Sequence, residues 1–398
     1  MSENMFSTKV DPVMHTYNRF PLTLVKGKGS FVWDDKGQEY LDYTSGIATC
    51  NLGHAPEFVK GQVEEQLQEL WHCSNLFEIP SQIKLAEKLV QNSCGDQVFF
   101  CNSGAEANEA AIKIARRYAQ KVKGTESFEI VTFSSSFHGR TLATLAATGQ
   151  EKIQQGFAPL MPGFRYLPYN DSEALSSLVK PNTCAVLLEV IQGEGGVIPA
   201  NPEWLKKVAS LCEEHDILLM IDEIQTGMGR TGSLFAYQQY GIEPDVISLA
   251  KGLGSGIPIG AIIAKEKVAA AFEPGSHGST FGGNPVATTA GLATITYMVD
   301  NDIAYKAEQM GEYLVSKLEL LQNKYDQIDT IRGKGLLVGI VVKGNAIDYV
   351  TKAREEHNLL ILVAGPNVVR ILPPLTTTQV EMDQFLFSFE AILKQMGN

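Results

Sequence analysis

The sequence predicts an α/β protein with a large, mainly parallel sheet domain and a smaller α+β domain. Between about residue 95 and residue 265, short β-rich runs alternate with Ala-rich amphipathic stretches, a pattern typical of strands covered by helices. The candidate strands are 97–101, 129–133, 185–190, 217–221 and 245–249. Their apolar runs are almost continuous, which indicates strands that are buried on both faces.

The pattern changes in the last quarter of the chain. From Thr288 to Leu321 it is long and helical, and strand-like runs and a terminal helix from Gln379 follow. The first 45 residues contain a turn signal at 35–37 that favours a hairpin. We therefore predict an N-terminal arm or small-domain segment (1–45), a large domain (46–290), and a C-terminal small domain with a linking helix (291–398).

The composition excludes several classes of protein. Hydrophobic residues make up 44% and charged residues 20%, as in ordinary globular chains and unlike disordered ones. The 33 basic and 45 acidic residues give a net charge of −12, which argues against a nucleic-acid or anionic-membrane partner. The 36 glycines are the compositional outlier.

The cysteines, the histidines and the N-terminus give further expectations. The six cysteines form no CxxC pair and are too sparse for a disulfide scaffold. His54, His72 and His277 lack metal-ligand spacing, so no metal site is expected. Neither a signal peptide nor a membrane-spanning apolar run is visible, and we expect a cytoplasmic protein.

Chemistry-bearing residues follow the predicted strands, where ligands bind in open α/β sheets. After the first strand, Ser103 and Glu106 fit a capping box at the start of a helix. The free N–H groups and the positive end of the helix dipole at this N-terminus could bind a phosphate. An ordinary capped helix is the alternative.

The second and third strands also end in candidate site residues. Phe137, His138 and Arg140 together suit a planar ring and a carboxylate, although Arg140 alone could be a surface cation. Glu189 ends the third strand and Glu194 follows in a Gly-rich loop, which could equally be a plain turn.

The last two predicted strands are followed or ended by an acid and an amine. Asp222 ends an apolar strand, where a carboxylate needs a cationic partner. Lys251 lies between apolar residues and a Gly turn, so desolvation would favour the neutral, nucleophilic amine. A lysine that extends to water is the alternative for Lys251 alone. Gly252 to Gly256 does not match the dinucleotide-binding pattern, and no P-loop occurs.

Taken together, these residues resemble the class III, ornithine-type aminotransferases of the fold-type I pyridoxal-phosphate enzymes. The resemblance runs almost end to end and includes the motifs at 27–29, 33–34, 53–54, 102–108, 137–140, 192–196, 222–227, 251–252 and 279–285. It implies the fold-type I architecture, with the cofactor in the large domain, and a homodimer with shared active sites.

The resemblance also assigns roles around pyridoxal 5′-phosphate. It implies that Lys251 forms the Schiff base and moves protons, and that Asp222 pairs with the pyridinium nitrogen and preserves the ring as an electron sink. Gln225 would contact the ring hydroxyl, and Glu223 would be structural or solvated. The implied cofactor-binding residues are Ser103, Gly104, Ala105, Phe137, His138, Glu189, Asp222, Glu223, Ile224, Gln225, Lys251 and Thr280.

Substrate recognition is implied in the same way. Arg140 resembles the binder of a substrate α-carboxylate, and Arg370 resembles a second carboxylate site that Glu194 covers when the donor lacks a distal acid. Thr280 would reach the cofactor phosphate of the neighbouring subunit. Ser279 would approach the substrate from that side, and Tyr17 would touch its inner end.

The implied reaction is a ping-pong transamination in arginine biosynthesis. The terminal amine of N-acetylornithine passes to 2-oxoglutarate, which gives N-acetylglutamate 5-semialdehyde and glutamate. Ile47 stands where some ornithine aminotransferases carry a tyrosine, and its smaller, apolar side chain favours an acylated or otherwise different donor over free ornithine. Ornithine, succinylornithine and 4-aminobutyrate aminotransferases are the near alternatives. A glutamate-semialdehyde-type aminomutase and a catalytically silent cofactor-binding protein are more distant ones.

Overall fold

The computed structural model describes residues 12–397. The strands are β1 (Leu24–Lys28), β2 (Phe31–Asp34), β3 (Glu39–Asp42), β4 (Gln97–Cys101), β5 (Glu129–Phe133), β6 (Phe164–Leu167), β7 (Thr183–Leu188), β8 (Ile191–Gln192), β9 (Ile198–Pro199), β10 (Leu218–Asp222), β11 (Val246–Leu249), β12 (Gly260–Ala264), β13 (Ile328–Lys334), β14 (Leu337–Val342), β15 (Leu359–Leu360), β16 (Leu362–Val363) and β17 (Val368–Ile371).

The α-helices are α1 (Glu57–Leu67), α2 (Pro80–Gln91), α3 (Gly104–Arg117), α4 (Leu142–Ala147), α5 (Glu151–Gln154), α6 (Pro202–Glu214), α7 (Glu266–Ala269), α8 (Pro285–Asp300), α9 (Ile303–Lys324), α10 (Ala346–His357) and α11 (Gln379–Met396). Within residues 12–397, no helix has the length and apolar character needed to cross a membrane.

A seven-stranded sheet forms the centre of the molecule, in the order β4-β12-β11-β10-β7-β5-β6. The neighbours from β11 to β6 pair in parallel, whereas β12 runs antiparallel to both β11 and β4. All five predicted strands belong to this sheet, with ends that differ by no more than two residues. The prediction of a mainly parallel sheet is therefore confirmed.

Both faces of this sheet are buried, as the continuous apolar runs predicted. Alternate residues of β7 and β10 enter two separate apolar clusters, one on each side. On one side the Ala-rich helix α3 packs against β11 and β12, because alanine side chains allow close approach. On the other side Trp204 of α6 packs edge-on against Phe133 and Tyr169, with ring centroids 5.0 and 4.9 Å away.

Two four-stranded sheets and a short antiparallel pair, β8-β9, accompany the large sheet in residues 12–397. One has the order β1-β2-β3-β15, and the predicted hairpin at 35–37 joins its strands β2 and β3. The other has the order β13-β14-β17-β16. Because β15 pairs with β3, the N-terminal sheet includes chain from the C-terminal third. The proposed domain boundaries at residues 45 and 290 stay a prediction.

The predicted helical stretch from Thr288 divides into α8 and α9. Asp302 between them has a left-handed backbone, with φ of 52°, and this interrupts the helix. The terminal helix α11 begins at the predicted Gln379. Thr378 and Glu381 form a capping box there, which satisfies N–H groups at the start of the helix.

Arg230 joins the chain after β10 to the segments around β14 and β17. Its fully buried guanidinium donates to the carbonyl oxygens of Leu336 and Pro373 and to Oδ1 of Asn51. Burial lowers the pKa of Arg230 to about 9. Three acceptors from distant parts of the chain thus replace the water that this cation loses.

His54 connects the N-terminal sheet to the following segment of the chain through hydrogen bonds. Its Nε2 lies 2.7 Å from Oδ2 of Asp42, and its backbone exchanges two hydrogen bonds with Gly29. A Cβ on Gly27 would lie 2.7 Å from Cβ of His54, so this approach requires glycine. The hydrogen bond to Asp42, with a smaller contribution from Cys50, raises the pKa of His54 to about 10.

This raised pKa predicts a pH-dependent contribution to stability. Because the folded pKa exceeds the unfolded value, the contribution is fully present below about pH 6.5 and is lost as the pH rises through about 10. We expect His54→Gln to lower the free energy of unfolding at pH 6 and to have little effect above pH 10, roughly the window set by the two pKa values.

Urea unfolding of wild type and variant at both pH values measures this difference. His215→Gln, at a more exposed histidine with a loose 4.0 Å ion pair, is the matched control. A His54 effect of equal size at both pH values would contradict the assignment.

Candidate active site

A cavity of about 400 Å³ lies at the carboxyl edge of the large sheet. The chain segments that follow β4, β5, β7, β10 and β11 line it, as expected for an open α/β sheet. The structure brings together most of the predicted site residues, and those lining the cavity are Ser103, Gly104, Ala105, Phe137, His138, Arg140, Glu189, Glu194, Asp222, Ile224, Gln225 and Lys251.

The N-terminus of α3 forms one end of the cavity. Oγ of Ser103 accepts from the backbone N–H of Glu106 at 3.2 Å, as the capping prediction requires. In a capping box the carboxylate of Glu106 would accept from the backbone N–H of Ser103. Here it accepts instead from the backbone N–H of Asn102, at 2.6 Å. A Cβ at Gly104 would lie 2.9 Å from the side chain of Ile224, so glycine keeps this helix end open. The N–H groups at the helix end can hold a phosphate.

Asp222 lies in the wall of the cavity and is buried. Its Oδ2 accepts from Nδ2 of Asn108 at 2.8 Å, and Oδ1 accepts from the N–H of Ile224 at 3.1 Å. Nδ1 of His138 is also 2.8 Å from Oδ2 and must be the donor, because a carboxylate only accepts. These donors compensate the carboxylate for lost water and fix its direction.

Asn108 is a site residue that sequence reasoning missed. Its Nδ2 donates both to Asp222 and to the backbone carbonyl of His138, at 2.8 Å each, so it joins two walls of the site. The available signal was its position: Asn108 is a polar residue on the buried, otherwise Ala-rich face of α3. A fully buried amide on such a face needs a specific partner.

Two further carboxyl groups are buried near Asp222. Burial, and then the charge of Asp222, raise the pKa of Glu189 well above its ordinary value. Glu189 accepts from the N–H groups of Phe137 and Gly193. Glu223 lies behind the cavity wall, where it accepts from Thr226 and from the N–H of Tyr237, and burial raises its pKa to about 7. Glu223 is thus buried and hydrogen-bonded in this chain, not solvated.

Lys251 projects into the cavity from the turn that follows β11. Its backbone is left-handed, with φ of 45°, which is uncommon for a residue with a side chain. Burial lowers the pKa of Lys251, and the nearby Glu194 partly opposes this shift. A larger fraction of neutral amine is therefore present than in a solvated lysine, as nucleophilic chemistry requires.

Phe137 and Arg140 form another wall of the cavity. The guanidinium of Arg140 lies 5.5 Å from the centre of the Phe137 ring, within the range of a cation–π contact. Arg140 is exposed at the cavity, where its two-pronged donor geometry can bind a carboxylate. The ring of Phe137 offers a flat apolar face for a planar ligand.

Glu194 and Arg370 form a bidentate ion pair. NH1 of Arg370 lies 2.6 Å from Oε1 of Glu194, and NH2 lies 3.2 Å from Oε2. Burial alone would raise the pKa of Glu194, but the charge and hydrogen bonds of Arg370, together with Lys251 and Gln225, lower that pKa below its ordinary value. Arg370 itself does not line the cavity, because it is only 2% exposed and Glu194 covers it.

The remaining predicted residues lie outside the cavity of their own chain. Oγ of Ser279 accepts from Nδ2 of Asn102 at 3.2 Å, whereas Thr280 is exposed on the same segment. Tyr17 is 73% exposed and Ile47 is 46% exposed. Gly139, which the motif at 137–140 includes, also lines the cavity. The lining residues that were not predicted as site residues are Thr49, Asn102, Ile191, Thr226, Ala250, Gly256, Ile257, Pro258 and Ile259.

Comparison with known proteins identifies the family of the chain. The chain is 58% identical to an acetylornithine aminotransferase of Oceanobacillus iheyensis, over 98% of each chain. An ornithine aminotransferase structure from Toxoplasma gondii, crystallised with oxidised glutathione and with partial occupancy of PLP at its active site, superposes with a TM-score of 0.91 at 34% identity, covering 96% of this chain and 93% of that one.

An N-acetylornithine aminotransferase structure from Stenotrophomonas maltophilia gives a TM-score of 0.84 at 37% identity, covering 96% of this chain and 97% of that one. The model of the family "Aminotransferase class-III" matches residues 13–393. The chain therefore belongs to the class-III aminotransferase family.

Proposed function

We propose that this protein is a pyridoxal-phosphate-dependent acetylornithine aminotransferase. It transfers the terminal amine of N-acetylornithine to 2-oxoglutarate and gives N-acetylglutamate 5-semialdehyde and glutamate, a step of arginine biosynthesis. The single observation that carries the proposal is a half-buried Lys251, whose pKa desolvation lowers, in one cavity with Asp222 and an ion-paired Glu194. The 58% identity to a relative of that name supports the choice of donor.

The residues present fit the cofactor. The N–H groups at the start of α3, beside Ser103, would hold its phosphate, and Phe137 would cover one face of its ring. Asp222, which Asn108 and His138 orient, would accept from the ring nitrogen. When bound, the cofactor supplies an electron sink for the carbon that loses its proton.

Other contacts would complete the cofactor site. Ile224 and Gly104 pack against each other beside the phosphate end, and Ala105 lies next to them. Glu189 and Gln225 line the cavity between the strand ends, where a ring hydroxyl would be placed. Glu223 contributes only indirectly, by holding Thr226 and the Tyr237 backbone beneath the site.

Lys251 performs the proton transfer in this proposal. Its Nζ would hold the cofactor, and as a neutral amine it can accept a proton from the substrate carbon and donate that proton again. Burial favours the neutral amine that must accept this proton.

One cavity serves both halves of the reaction. Arg140 binds the carboxylate of either substrate, and Glu194 keeps Arg370 neutralised while the amino donor is bound. The second carboxylate of 2-oxoglutarate displaces Glu194 and takes Arg370. An open Arg370 would leave a buried charge unpaired, so the displacement is favourable only when an anion arrives.

The donor assay tests the proposed substrate. We expect kcat/KM with 2-oxoglutarate to be highest for N-acetylornithine, compared with ornithine, succinylornithine and 4-aminobutyrate. Ile47, which lacks a phenol, favours the acylated donors. A clear preference for 4-aminobutyrate would contradict the assignment, and turnover without 2-oxoglutarate would indicate an aminomutase instead.

We also propose that the protein acts as a homodimer. An apolar surface, formed by Leu70, Trp71, Leu76, Phe77 and Phe281, is exposed by 50 to 89% in the single chain. Nδ2 of Asn75 donates to the carbonyl oxygens of Ser279 and Gly282, so the two segments form one surface. A contiguous apolar surface of this kind favours association, and a second copy would receive the exposed Thr280 at its cofactor phosphate.

Sedimentation and activity together test the dimer. We expect the wild-type protein to sediment as a dimer and Trp71→Asp, which places a charge in the apolar surface, to dissociate it and to abolish activity. Tyr305→Asp, at a residue that is 59% exposed elsewhere, is the matched control and should change neither. A fully active wild-type monomer would contradict the shared site.

A further inference from the structure

Gln225 has an unexpected place in the cavity. Its family resemblance implies contact with a ring hydroxyl, yet both ends of its amide are engaged by the Glu194–Arg370 pair. Its Nε2 donates to Oε1 of Glu194 at 3.2 Å, and its Oε1 accepts from NH1 of Arg370 at 3.2 Å. The amide is therefore part of the structure that holds this carboxylate.

The chemistry of the neighbours fixes the orientation of the amide. Rotation by half a turn would place Oε1 against the carboxylate of Glu194 and Nε2 against the guanidinium of Arg370, two repulsive contacts in place of two attractive ones. The N–H group of Gln225 must therefore face whichever carboxylate occupies Arg370.

Gly193 leaves room for the Gln225 amide in this position. A Cβ at Gly193 would lie 2.2 Å from Oε1 of Gln225, so the glycine leaves the space in which the amide lies. The carbonyl oxygen of Gly193 also accepts from NH1 of Arg370 at 3.0 Å. Gln225 is 8% exposed and Arg370 is 2% exposed, so both are largely shielded from water.

The Glu194 carboxylate thus occupies a site with donors from two side chains. NH1 and NH2 of Arg370 and Nε2 of Gln225 all point to it. We propose that these three groups form a carboxylate seat, and that Gln225 is a specificity-determining residue that binds the second carboxylate of the dicarboxylate substrate after Glu194 leaves.

This inference rests on the proposed function, because it assumes that a dicarboxylate displaces Glu194. It adds a further ligand to the site for that carboxylate. The seat exchanges one carboxylate for another, and Gln225 donates to both. The contribution of Gln225 to the affinity for the dicarboxylate should therefore cancel when Glu194 competes for the seat. It should become measurable when Glu194 is absent.

A double-mutant cycle with Glu194→Ala tests this cancellation. The readout is the Kd of the unreactive diacid glutarate for the cofactor-loaded full chain, measured by titration calorimetry. In the Glu194→Ala background, we expect Gln225→Leu to weaken glutarate binding about tenfold, as is typical for loss of a hydrogen bond to a charged group. With Glu194 present, we expect Gln225→Leu to change that Kd by less than about twofold.

Other results would overturn the proposal. If Gln225→Leu bound glutarate more tightly with Glu194 present, Gln225 would bind only the Glu194 carboxylate and not that of the substrate. The lack of any effect in the Glu194→Ala background would lead to the same conclusion. Butyrate needs only Arg140, so its Kd should be unchanged. Loss of butyrate binding together with glutarate binding would indicate a merely structural role for Gln225.

Two further variants keep the test decisive. Gly193→Ala displaces the Gln225 amide without removing it and should reproduce the loss in the Glu194→Ala background. Gln239→Leu, which removes an amide bonded to Thr231 and Ser233 away from the cavity, is the matched control and should have no effect. A wild-type holoenzyme that binds no glutarate would instead reject the dicarboxylate site of the proposed function.

Discussion

The structure depends on matching opposite charges that are buried at one edge of the large sheet. Lys251, Asp222, Glu189, Glu194 and Arg370 lie close enough to influence one another's ionisation. An unpaired charge in such a place costs several kcal/mol, so each group is either paired or shifted towards its neutral form. Arg370 and Glu194 pair, donors surround Asp222, and Glu189 favours its neutral form. The raised and lowered pKa values follow from this one constraint.

The fold supplies this arrangement in a simple way. Parallel strands end at the same edge, and the charged site residues lie at or just beyond the ends of strands that are otherwise largely apolar. Helix α3 adds N–H groups at that edge. Glycine is required where another side chain lies too close for a Cβ atom, as at Gly104 beside Ile224 and at Gly193 beside Gln225. The net charge of −12 remains compatible with anionic substrates, because the cations concentrate in the cavity and behind it.

Much of this could be predicted from the sequence, because it depends on local patterns. Buried strands are marked by apolar runs, and residues that follow parallel strands must share an edge, so the sequence alone predicts that Asp222 and Lys251 lie in one site. Asn108 was missed because its partner Asp222 is 114 positions away in the chain. Arg370 contacts Gln225 from 145 positions away, and no spacing rule connects them. The pairing of β15 with β3 likewise has no local signal.

The central claim is that Lys251 carries the cofactor, and borohydride reduction followed by peptide mapping tests it most directly. Reduction of the cofactor-loaded protein should fix the cofactor to the peptide that contains Lys251, and Lys251→Ala should yield no fixed cofactor. Attachment to another lysine in the wild-type protein would contradict the proposed mechanism.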